Sequence, residues 1–288
     1  MATQVVLTGT GVPHPRPGRA GPGCLVRHGD VALQFDAGRA TVVRLMEAGA
    51  PPHALSALFV THAHSDHVVA LADVAMTRWV QQQLAATGPL PIVAPEGAPA
   101  RFVARMLEPY DDDISWRTGH TGSAPPEVDL TAFAVPSTPE EVWASADGVV
   151  RVLAVGVHHE PVPDCVAYRV ETPDGVVVIS GDTRVCAEVG DLAVGADVLV
   201  HEACRTTALA EAIAGTTYET IFSYHADTVP LGALAQRSGV PHVVLTHLIP
   251  PPDIPEQVEG FAQDLRDGGY RGTITVGEDL TTVTLGGG

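Results

Sequence analysis

Apolar residues along the chain occur in short runs that alternate with turns rich in glycine and proline, a pattern typical of mixed α and β structure. In the first half these runs predict strands at residues 5–8, 24–27, 31–35, 57–61 and 90–94. Helical spacing of apolar residues there predicts helices at 39–49, 68–79 and 97–109. The second half predicts strands at 151–157, 165–170, 176–180, 197–200 and 242–246, and helices at 206–214, 228–238 and 256–267. The acidic, turn-rich segment 110–150 predicts only peripheral strands and a loop.

Strands and helices alternate in both halves of the chain, and several strands are followed at once by His, Asp or Glu. A sheet with one hydrophobic face must bury that face against another layer. We therefore predict an α+β fold of four layers (αββα), with two stacked mixed β-sheets and helices on both outer faces. The length of 288 residues suits one domain over 1–288, with pseudo-two-fold halves at about 1–130 and 150–288.

The strongest chemical signal is the segment His62-x-His64-x-Asp66-His67, which directly follows the predicted strand 57–61. Imidazole and carboxylate are ligands that suit zinc, iron or manganese. His62 and His64 are two residues apart, so an extended backbone points both side chains the same way. Asp66 and His67 come after the chain turns and can face a second point nearby. Four such groups beside a buried strand would be costly without a metal, so the segment predicts ligands for two adjacent ions rather than a polar turn.

Two further candidate ligands follow predicted strands in the second half of the chain. Asp182 comes after the strand 176–180, and Gly181 before it lets the carboxylate approach a metal closely; an Asx turn is the alternative. His247 comes after the strand 242–246, and a histidine in an exposed loop is the alternative there.

The segment 62–67 and the strand before it match the HxHxDH signature of the metallo-β-lactamase superfamily. The chain resembles most the branch that contains ribonuclease Z and the metal-dependent arylsulfatases and phosphodiesterases, and the resemblance extends over nearly the whole chain. The order of the matching motifs is more specific than any one of them. They are Leu7-Thr8-Gly9-Thr10-Gly11, Phe35-Asp36-Ala37-Gly38, His159-Glu160-Pro161-Val162-Pro163, Ser180-Gly181-Asp182-Thr183, His201-Glu202-Ala203, Tyr224-His225 and Leu245-Thr246-His247-Leu248.

This resemblance implies a set of ligands for two metals that share one bridging aspartate. One metal would be held by His62, His64, His159 and the bridging Asp182, and the second by Asp66, His67, His247 and the same Asp182. On a strand His158 and His159 point to opposite faces, and the family's spacing to the Pro-Val pair that follows favours His159. His158 is then a structural or exposed neighbour.

The resemblance also implies roles in catalysis. Asp66 would hold and orient the reactive water, and His225 matches the family's late histidine, which looks like a proton donor; a core or surface histidine is the alternative. Glu202 is a candidate to orient His225, whereas His201 could equally bind the backbone. Asp36 is expected to support a ligand rather than to bind metal, as carboxylates often do beside zinc-bound histidines.

We expect two divalent ions, zinc in the first place, with manganese or iron as alternatives that the same ligands accept. Two cations close together lower the pKa of a bridging water, so hydroxide is available near neutral pH. The ions would also polarise a phosphoryl, sulfuryl or carbonyl oxygen. The sequence therefore predicts a metal-dependent hydrolase of ester bonds, and its lack of a G-x-S-x-G motif fits a mechanism without a serine nucleophile.

The charge balance and one short segment bear on the substrate. The chain has 16 Lys+Arg against 34 Asp+Glu, a formal net charge of −18, whereas nucleic-acid binding draws most of its affinity from Lys and Arg. Ribonuclease Z carries a long basic arm between the positions that match His159 and Asp182. Here the segment 160–181 has room only for a β-hairpin turned at Pro173-Asp174-Gly175.

A small-molecule ester is therefore the preferred substrate: a phosphodiester, a sulfate ester, or a carboxylic ester or lactone. A nucleic acid is not expected as a partner, and tRNA 3′ processing of the ribonuclease Z type is the alternative. A non-catalytic binding protein on the same fold would be expected to have lost ligands. A diiron oxygen or nitric oxide reductase resembles a pattern with Glu in place of His64.

The remaining features concern redox state and location. Four cysteines without a CxxC pair predict buried, reduced thiols: Cys24, Cys165, Cys186 and Cys204. The chain shows no basic and apolar leader, and no apolar run approaches the roughly 20 residues that span a bilayer. We expect a cytoplasmic protein without membrane contact, and a homodimer by analogy with dimeric relatives.

Overall fold

A computed structural model describes residues 2–82, 85 and 87–286. The strands within these residues are β1 (Gln4–Gly9), β2 (Gly23–His28), β3 (Val31–Phe35), β4 (Ala57–Phe59), β5 (Leu90–Pro95), β6 (Val128–Phe133), β7 (Glu140–Ala144), β8 (Arg151–Gly156), β9 (Val166–Thr172), β10 (Gly175–Ile179), β11 (Val198–Cys204), β12 (His242–Ile249), β13 (Thr273–Val276) and β14 (Thr282–Thr284). They form two sheets of seven strands each, in the orders β14-β1-β2-β3-β4-β5-β6 and β13-β12-β11-β10-β9-β8-β7.

Helices cover the outer faces of both sheets. The described α-helices are α1 (Thr41–Glu47), α2 (Ser65–Val68), α3 (Leu71–Gln81), α4 (Ala98–Arg105), α5 (Asp111–Thr121), α6 (Ala187–Leu192), α7 (Thr206–Ile213), α8 (Thr217–Ser223), α9 (Thr228–Ser238) and α10 (Pro255–Asp267). Two short 3₁₀ helices lie at Pro52–Ala54 and Glu108–Tyr110. Among the described residues, none of the helices has the length and apolar character needed to cross a membrane.

The inner faces of the two sheets pack against each other through aromatic side chains. Phe35 and Phe59 of the first sheet stack with their ring centroids 4.7 Å apart, and Tyr168 of the second sheet lies 5.4 Å from both. The Tyr168 hydroxyl donates a 2.6 Å hydrogen bond to the carbonyl of Val60, which satisfies its one polar atom. Separate apolar clusters join the outer helices to each sheet, so the predicted four-layer αββα sandwich is confirmed.

Parallel strands in both sheets bring the candidate site to one edge. β3 to β6 run parallel in the first sheet, and β10 to β13 run parallel in the second. The segments that follow β4, β10 and β12 therefore lie together beyond the carboxyl ends of these strands, where α/β sheets commonly bind ligands. The predicted hairpin is present as β9 and β10, which pair antiparallel around Pro173 and Asp174.

Several elements differ from the sequence-based prediction. Segment 110–150 was predicted to contain only peripheral strands and a loop, but Asp111, Asp112 and Asp113 form the first turn of α5, where negative side chains favour the positive end of the helix dipole. The strands β6 and β7 confirm the predicted edge strands of segment 110–150. The prediction lacked α6, α8, β13 and β14. Because β14 pairs with β1, the end of the chain completes the first sheet, and the division into halves stays a prediction.

All four cysteines are buried and unpaired, as predicted.

Candidate metal centre

The segment 62–67 bends sharply after β4 and thereby presents its side chains in two directions. His64 has an extended backbone (φ −63°, ψ 144°) and directly precedes α2. Asp66 and His67 lie in the first turn of α2, and the His67 amide donates to the His64 carbonyl at 3.0 Å. This agrees with the predicted turn between the two pairs of side chains.

Asp182 lies at the centre of the cluster. Its Oδ2 atom is 3.3 Å from the Nε2 atoms of both His67 and His247. The same oxygen is 3.8 Å from Nε2 of His159 and 4.0 Å from Nε2 of His62. One carboxylate oxygen thus reaches imidazoles from both predicted ligand groups, which is the placement that a bridging ligand requires.

The remaining predicted ligands complete two groups around this oxygen. His64 Nδ1 lies 3.1 Å from His159 Nε2, and Asp66 Oδ2 lies 3.5 Å from His247 Nε2 and 3.7 Å from His67 Nε2. In each group the candidate ligand atoms lie within 4.8 Å of one another: His62, His64, His159 and Asp182 in one, and Asp66, His67 and His247 in the other. The structure therefore brings together all seven predicted ligands.

The hydrogen-bonding state of these atoms fits a pair of cations. Nε2 of His62, His67 and His247 and Oδ2 of Asp66 are buried and have no hydrogen-bond partner among the described residues. An unsatisfied buried polar group costs about 1–3 kcal/mol, more when charged, unless another partner takes its place. Imidazole nitrogens and carboxylate oxygens are suitable ligands for zinc, manganese or iron. The residues can hold metal ions, while the identity of the metal stays a prediction.

Protonation at the centre also favours ligand binding. Burial lowers the pKa of His62 well below its usual value, so its imidazole is neutral, as a metal ligand must be. Burial alone would raise the pKa of Asp182, but His247 and His67 outweigh it and hold the pKa well below the usual range. Asp182 is therefore a carboxylate with lone pairs available on the oxygen that faces the histidines.

A network of hydrogen bonds behind the ligands fixes their orientation. His67 Nδ1 donates to Asp36 Oδ2 at 2.7 Å, and the Thr61 hydroxyl donates to the same oxygen at 2.8 Å. His62 Nδ1 lies 3.0 Å from the Thr61 hydroxyl, which is free to accept because its own proton goes to Asp36. Both ring Nε2 atoms are thereby directed into the site. This is the supporting position that the sequence predicted for Asp36.

Behind the ligands, the partner of His159 was not predictable from residue types, whereas the contacts of His158 and His201 agree with their predictions. His159 Nδ1 donates to the backbone carbonyl of Tyr224 at 3.1 Å, a partner that no sequence motif marks. His158 points away and lies 3.1 Å from a carboxylate oxygen of Glu188, as expected of a half-exposed neighbour. His201 donates to the backbone carbonyl of Glu202 at 2.8 Å, so it is held outside the ligand groups.

The backbone at His247 departs from regular strand geometry. β11 and β12 pair in register up to Glu202 and Thr246, after which Ala203 pairs with Leu248 and His247 is left out of the ladder. His247 also has a positive φ of 44°, which is unusual for a residue other than glycine. Bulges of this kind re-aim a side chain next to active sites, and here the bulge turns the imidazole toward Asp182.

Gly181 allows Asp182 to approach the other ligands. It has φ 60°, and a Cβ atom built on it would lie 2.8 Å from the Thr61 Cβ and 3.1 Å from the Val166 carbonyl oxygen. The chain therefore passes too close to Thr61 for any side chain at this position. The sequence predicted that Gly181 lets the Asp182 carboxylate approach the metals, and this close contact with Thr61 is the steric reason.

We expect Gly181→Ala to destabilise the protein more than Gly239→Ala. Gly239 has a similar φ of 73°, but a Cβ there meets nothing within 4 Å. Both substitutions carry the left-handed strain of roughly 1–2 kcal/mol, and only Gly181→Ala adds a clash of about 1–3 kcal/mol. Urea unfolding of both variants measures the difference. Equal free energies of unfolding would contradict the steric role of Gly181.

His225 and Glu202 form a hydrogen-bonded pair beside the ligands. His225 Nδ1 lies 2.9 Å from Oε2 and 3.1 Å from Oε1 of Glu202, and the amide of Thr183 donates to Oε1 at 2.7 Å. The ring centroids of His225 and His159 are 4.9 Å apart. Burial would lower the pKa of His225, but the Glu202 carboxylate outweighs it and raises this pKa to about 9. The geometry agrees with the predicted orienting contact.

His159, Asp182, Glu202 and His225 also lie close enough to form a further group that could hold a metal ion. Glu202 is less available for this purpose, because its carboxylate already accepts hydrogen bonds from Thr183 and His225. The pair is better arranged to carry a proton on His225 next to the two ligand groups.

Comparison with known proteins identifies the family. Residues 19–225 match the Metallo-beta-lactamase superfamily, and the chain belongs to this superfamily of metal-dependent hydrolases, in its ribonuclease Z-like branch. A protein of Mycolicibacterium paratuberculosis named Ribonuclease Z is 37% identical over 284 residues, which cover 98% of this chain and 98% of the relative.

Two solved structures share the fold over nearly their whole length. The metallo-beta-lactamase fold protein YhfI from Bacillus subtilis has a TM-score of 0.74 at 19% identity, covering 99% of this chain and 100% of that one. The short form of human tRNase Z has a TM-score of 0.71 at 18% identity, covering 98% and 99%. At these identities the two structures support the fold alone.

These relatives correct one prediction made from the sequence. A small-molecule ester as partner, with nucleic acid unlikely, is wrong, because the curated relatives are named Ribonuclease Z and therefore act on RNA. The lack of a long arm between His159 and Asp182 does not distinguish this chain from these relatives. The alignment with the Mycolicibacterium paratuberculosis protein covers 98% of both chains, so the two are nearly equal in length. Net charge was a poor guide because it averages the whole surface, whereas binding depends on the charges near the site.

Proposed function

We propose that this chain is a metal-dependent endoribonuclease of the ribonuclease Z type, which hydrolyses a phosphodiester in the 3′ segment of a tRNA precursor. The observation that carries the proposal is the full-length similarity to proteins named Ribonuclease Z, and the clustering of the seven candidate ligands supports it. The proposed substrate is an RNA phosphodiester in place of the small ester that the sequence predicted, and the predicted reaction, metal-dependent hydrolysis, is unchanged.

The ligand groups and the His225–Glu202 pair have different roles in hydrolysis. Two divalent cations held by the seven ligands would lower the pKa of a nearby water and offset the charge that builds on the phosphate. Asp66 is placed to accept a hydrogen bond from the attacking water and so to orient it. A bond forms between the water oxygen and phosphorus, and the bond from phosphorus to the leaving oxygen breaks.

His225 is placed to supply the proton that the leaving oxygen needs. Its Nδ1 is bound to Glu202, while its Nε2 has no hydrogen-bond partner among the described residues. Glu202 stabilises the protonated imidazole and fixes the direction of the ring. A positioned donor of this kind typically contributes 10²–10⁴-fold to the rate.

Arginines near the candidate metal centre could bind RNA phosphates although the chain as a whole is acidic. All 16 Lys+Arg residues are arginines. Most of them contact carboxylates or backbone carbonyls of the described residues. Arg101 on α4 makes no such contact within the described part of the chain. It lines a groove of about 530 Å³ together with Ala63, the residue between His62 and His64. An RNA strand that leaves the metal centre on this side would meet the free guanidinium.

We expect Arg101→Gln to weaken RNA binding several-fold and to lower the salt dependence of binding by about one unit of slope. The matched control is Arg237→Gln, because Arg237 on α9 is exposed and likewise lacks a partner in the described residues, but lies outside this groove. Titrations of a labelled precursor at several salt concentrations give the slopes. Identical slopes for the two variants would exclude the groove as a phosphate contact.

The proposal is tested with a transcribed tRNA precursor that carries a 3′ trailer. The zinc- or manganese-loaded protein is expected to make one cut near the trailer junction and to leave mature tRNA intact. A chelator should abolish the cut. A precursor that stays intact under conditions where an aryl phosphodiester is hydrolysed would contradict the ribonuclease assignment.

A further inference from the structure

A cavity of about 440 Å³ opens directly beside the candidate metal centre. His225 and His247 line it, so its contents would lie next to the reacting phosphate. Its volume is within the range of roughly 300–1,000 Å³ that is typical of pockets for small molecules. None of the roles derived above makes use of this space.

The walls of the cavity are mostly apolar and include two aromatic rings. Tyr218 and Phe222, both on α8, have ring centroids 5.5 Å apart at an interplanar angle of 31°. Tyr218 is 45% exposed, although the ring lines the cavity. Pro250 and Pro251, in the loop after β12, add further apolar wall. Aromatic side chains with a free face are the usual platform for stacking a nucleobase.

The charge around the cavity suits a phosphorylated ligand. Among the described residues that line it there is no Asp or Glu, although the chain contains 34 of them. His14 and Arg16 are part of the wall, and the Arg16 guanidinium is half-exposed at 3.6 Å from the Asp253 carboxylate. A nucleotide could therefore enter with its phosphate toward the metals without meeting a carboxylate in the cavity.

The helix that carries the aromatic rings is attached to the metal centre. α8 ends at Ser223, and the carbonyl of the next residue, Tyr224, accepts the hydrogen bond from His159. His225 follows at once. Phe222 also packs against a buried cluster that contains Val12 and Ile249. These contacts hold the ring of Phe222 in a fixed relation to the ligands.

We propose that this cavity is a stacking subsite for the nucleobase on the leaving side of the scissile phosphate, with Phe222 and Tyr218 as its ring contacts. The leaving side follows from His225, which lines the cavity and is placed to protonate the leaving oxygen. The inference rests on the proposed ribonuclease function, and it identifies the nucleobase that Phe222 and Tyr218 would contact. Because the walls are mainly apolar, the subsite binds by stacking and tolerates different bases.

Isothermal titration with adenosine monophosphate and ribose 5-phosphate tests the subsite without any cleavage step. The zinc-loaded protein is expected to bind the nucleotide about 5- to 100-fold more tightly than the ribose phosphate, the range that one stacked base contributes. Phe222→Ala should remove most of this preference. Phe222→Leu, which keeps apolar volume for folding, should also lose it because the flat ring is gone. Trp116→Ala is the matched control, since Trp116 on α5 is 70% exposed and lies outside the cavity.

Two results would overturn the subsite: equal binding of both probes by the unchanged protein, or an undiminished preference in both Phe222 variants. The cleavage assay is separate from this test. A protein that prefers the nucleotide but cuts no RNA would contradict the ribonuclease proposal and leave a nucleotide subsite in place. RNA cleavage without a preference for the nucleotide would contradict only the subsite.

Discussion

Asp182→Asn is expected to lower RNA cleavage by on the order of a thousand-fold or more, because even one lost electrostatic contact at a reacting centre costs about 10²–10³ in rate. Asp182 contributes more than one contact, since its Oδ2 atom lies within 4.0 Å of four imidazole nitrogens. The amide keeps the shape but loses the negative charge that two cations would share. Bound metal per chain should fall together with the activity.

Asp129→Asn is the matched control for this substitution. Asp129 lies on the edge strand β6 and is exposed, and its carboxylate has no hydrogen bond or ion pair to the described residues. The control should keep both its metal and its activity. Metal analysis and initial rates on the same preparations give the two readouts. An Asp182→Asn protein with full metal content and near-normal rates would exclude the bridging role.

His225→Ala is expected to lower kcat for RNA by about 10²–10⁴-fold, the usual contribution of a positioned proton donor. Metal content should stay unchanged, because His225 is bound to Glu202 and the seven ligands remain. The loss should shrink on an aryl phosphodiester with a nitrophenolate leaving group, which departs without a proton. Glu202→Gln should follow the same pattern with a smaller effect, as expected of a positioning residue.

His158→Ala is the matched control, because His158 also contacts a carboxylate, that of Glu188, but lies on the other side of the strand end. Its rates should match those of the unchanged protein. If His225→Ala lost metal in proportion to activity, His225 would belong to a ligand group. An equal loss of rate on both kinds of leaving group would also argue against proton donation.

The local part of the site was predictable because it lies in one segment. The segment 62–67 contains four candidate ligands within six positions, so its spacing alone indicated two directions of ligation. Asp182 and His247 are far from this segment but directly follow predicted strands, which marked them as candidates, whereas the choice of His159 and the supporting role of Asp36 required the family motifs. The order of those motifs led to all seven residues that the structure brings together.

The geometry that makes the distant residues fit was not predictable from residue types. The bulge at His247 depends on how β11 and β12 pair, and the contact of Gly181 with Thr61 depends on how the two sheets stack. Similarly, α5 was missed because an acidic run suits either a loop or a helix start. The cavity beside His225 was missed for a related reason, because α8 was not predicted.

The choice of substrate shows where composition misleads. A net charge of −18 and a short segment between His159 and Asp182 favoured a small ester. Relatives of nearly the same length are named Ribonuclease Z, so neither feature excludes RNA. Arg101, which has no partner in the described part of the chain, and the cavity without acidic lining residues are local features, and they lie beside the ligands where charge acts on a substrate.

Stepwise metal reconstitution with RNA cleavage as the readout tests whether the seven candidate ligands hold two ions that are needed for hydrolysis. Metal-free protein is titrated with zinc while the rate of cleavage of the tRNA precursor is measured. We predict that the rate rises until about two equivalents are bound, as expected of a two-metal site, and that Asp182→Asn shows no such rise. Cleavage that needs no metal, or metal binding that never produces cleavage, would exclude a two-metal ribonuclease centre.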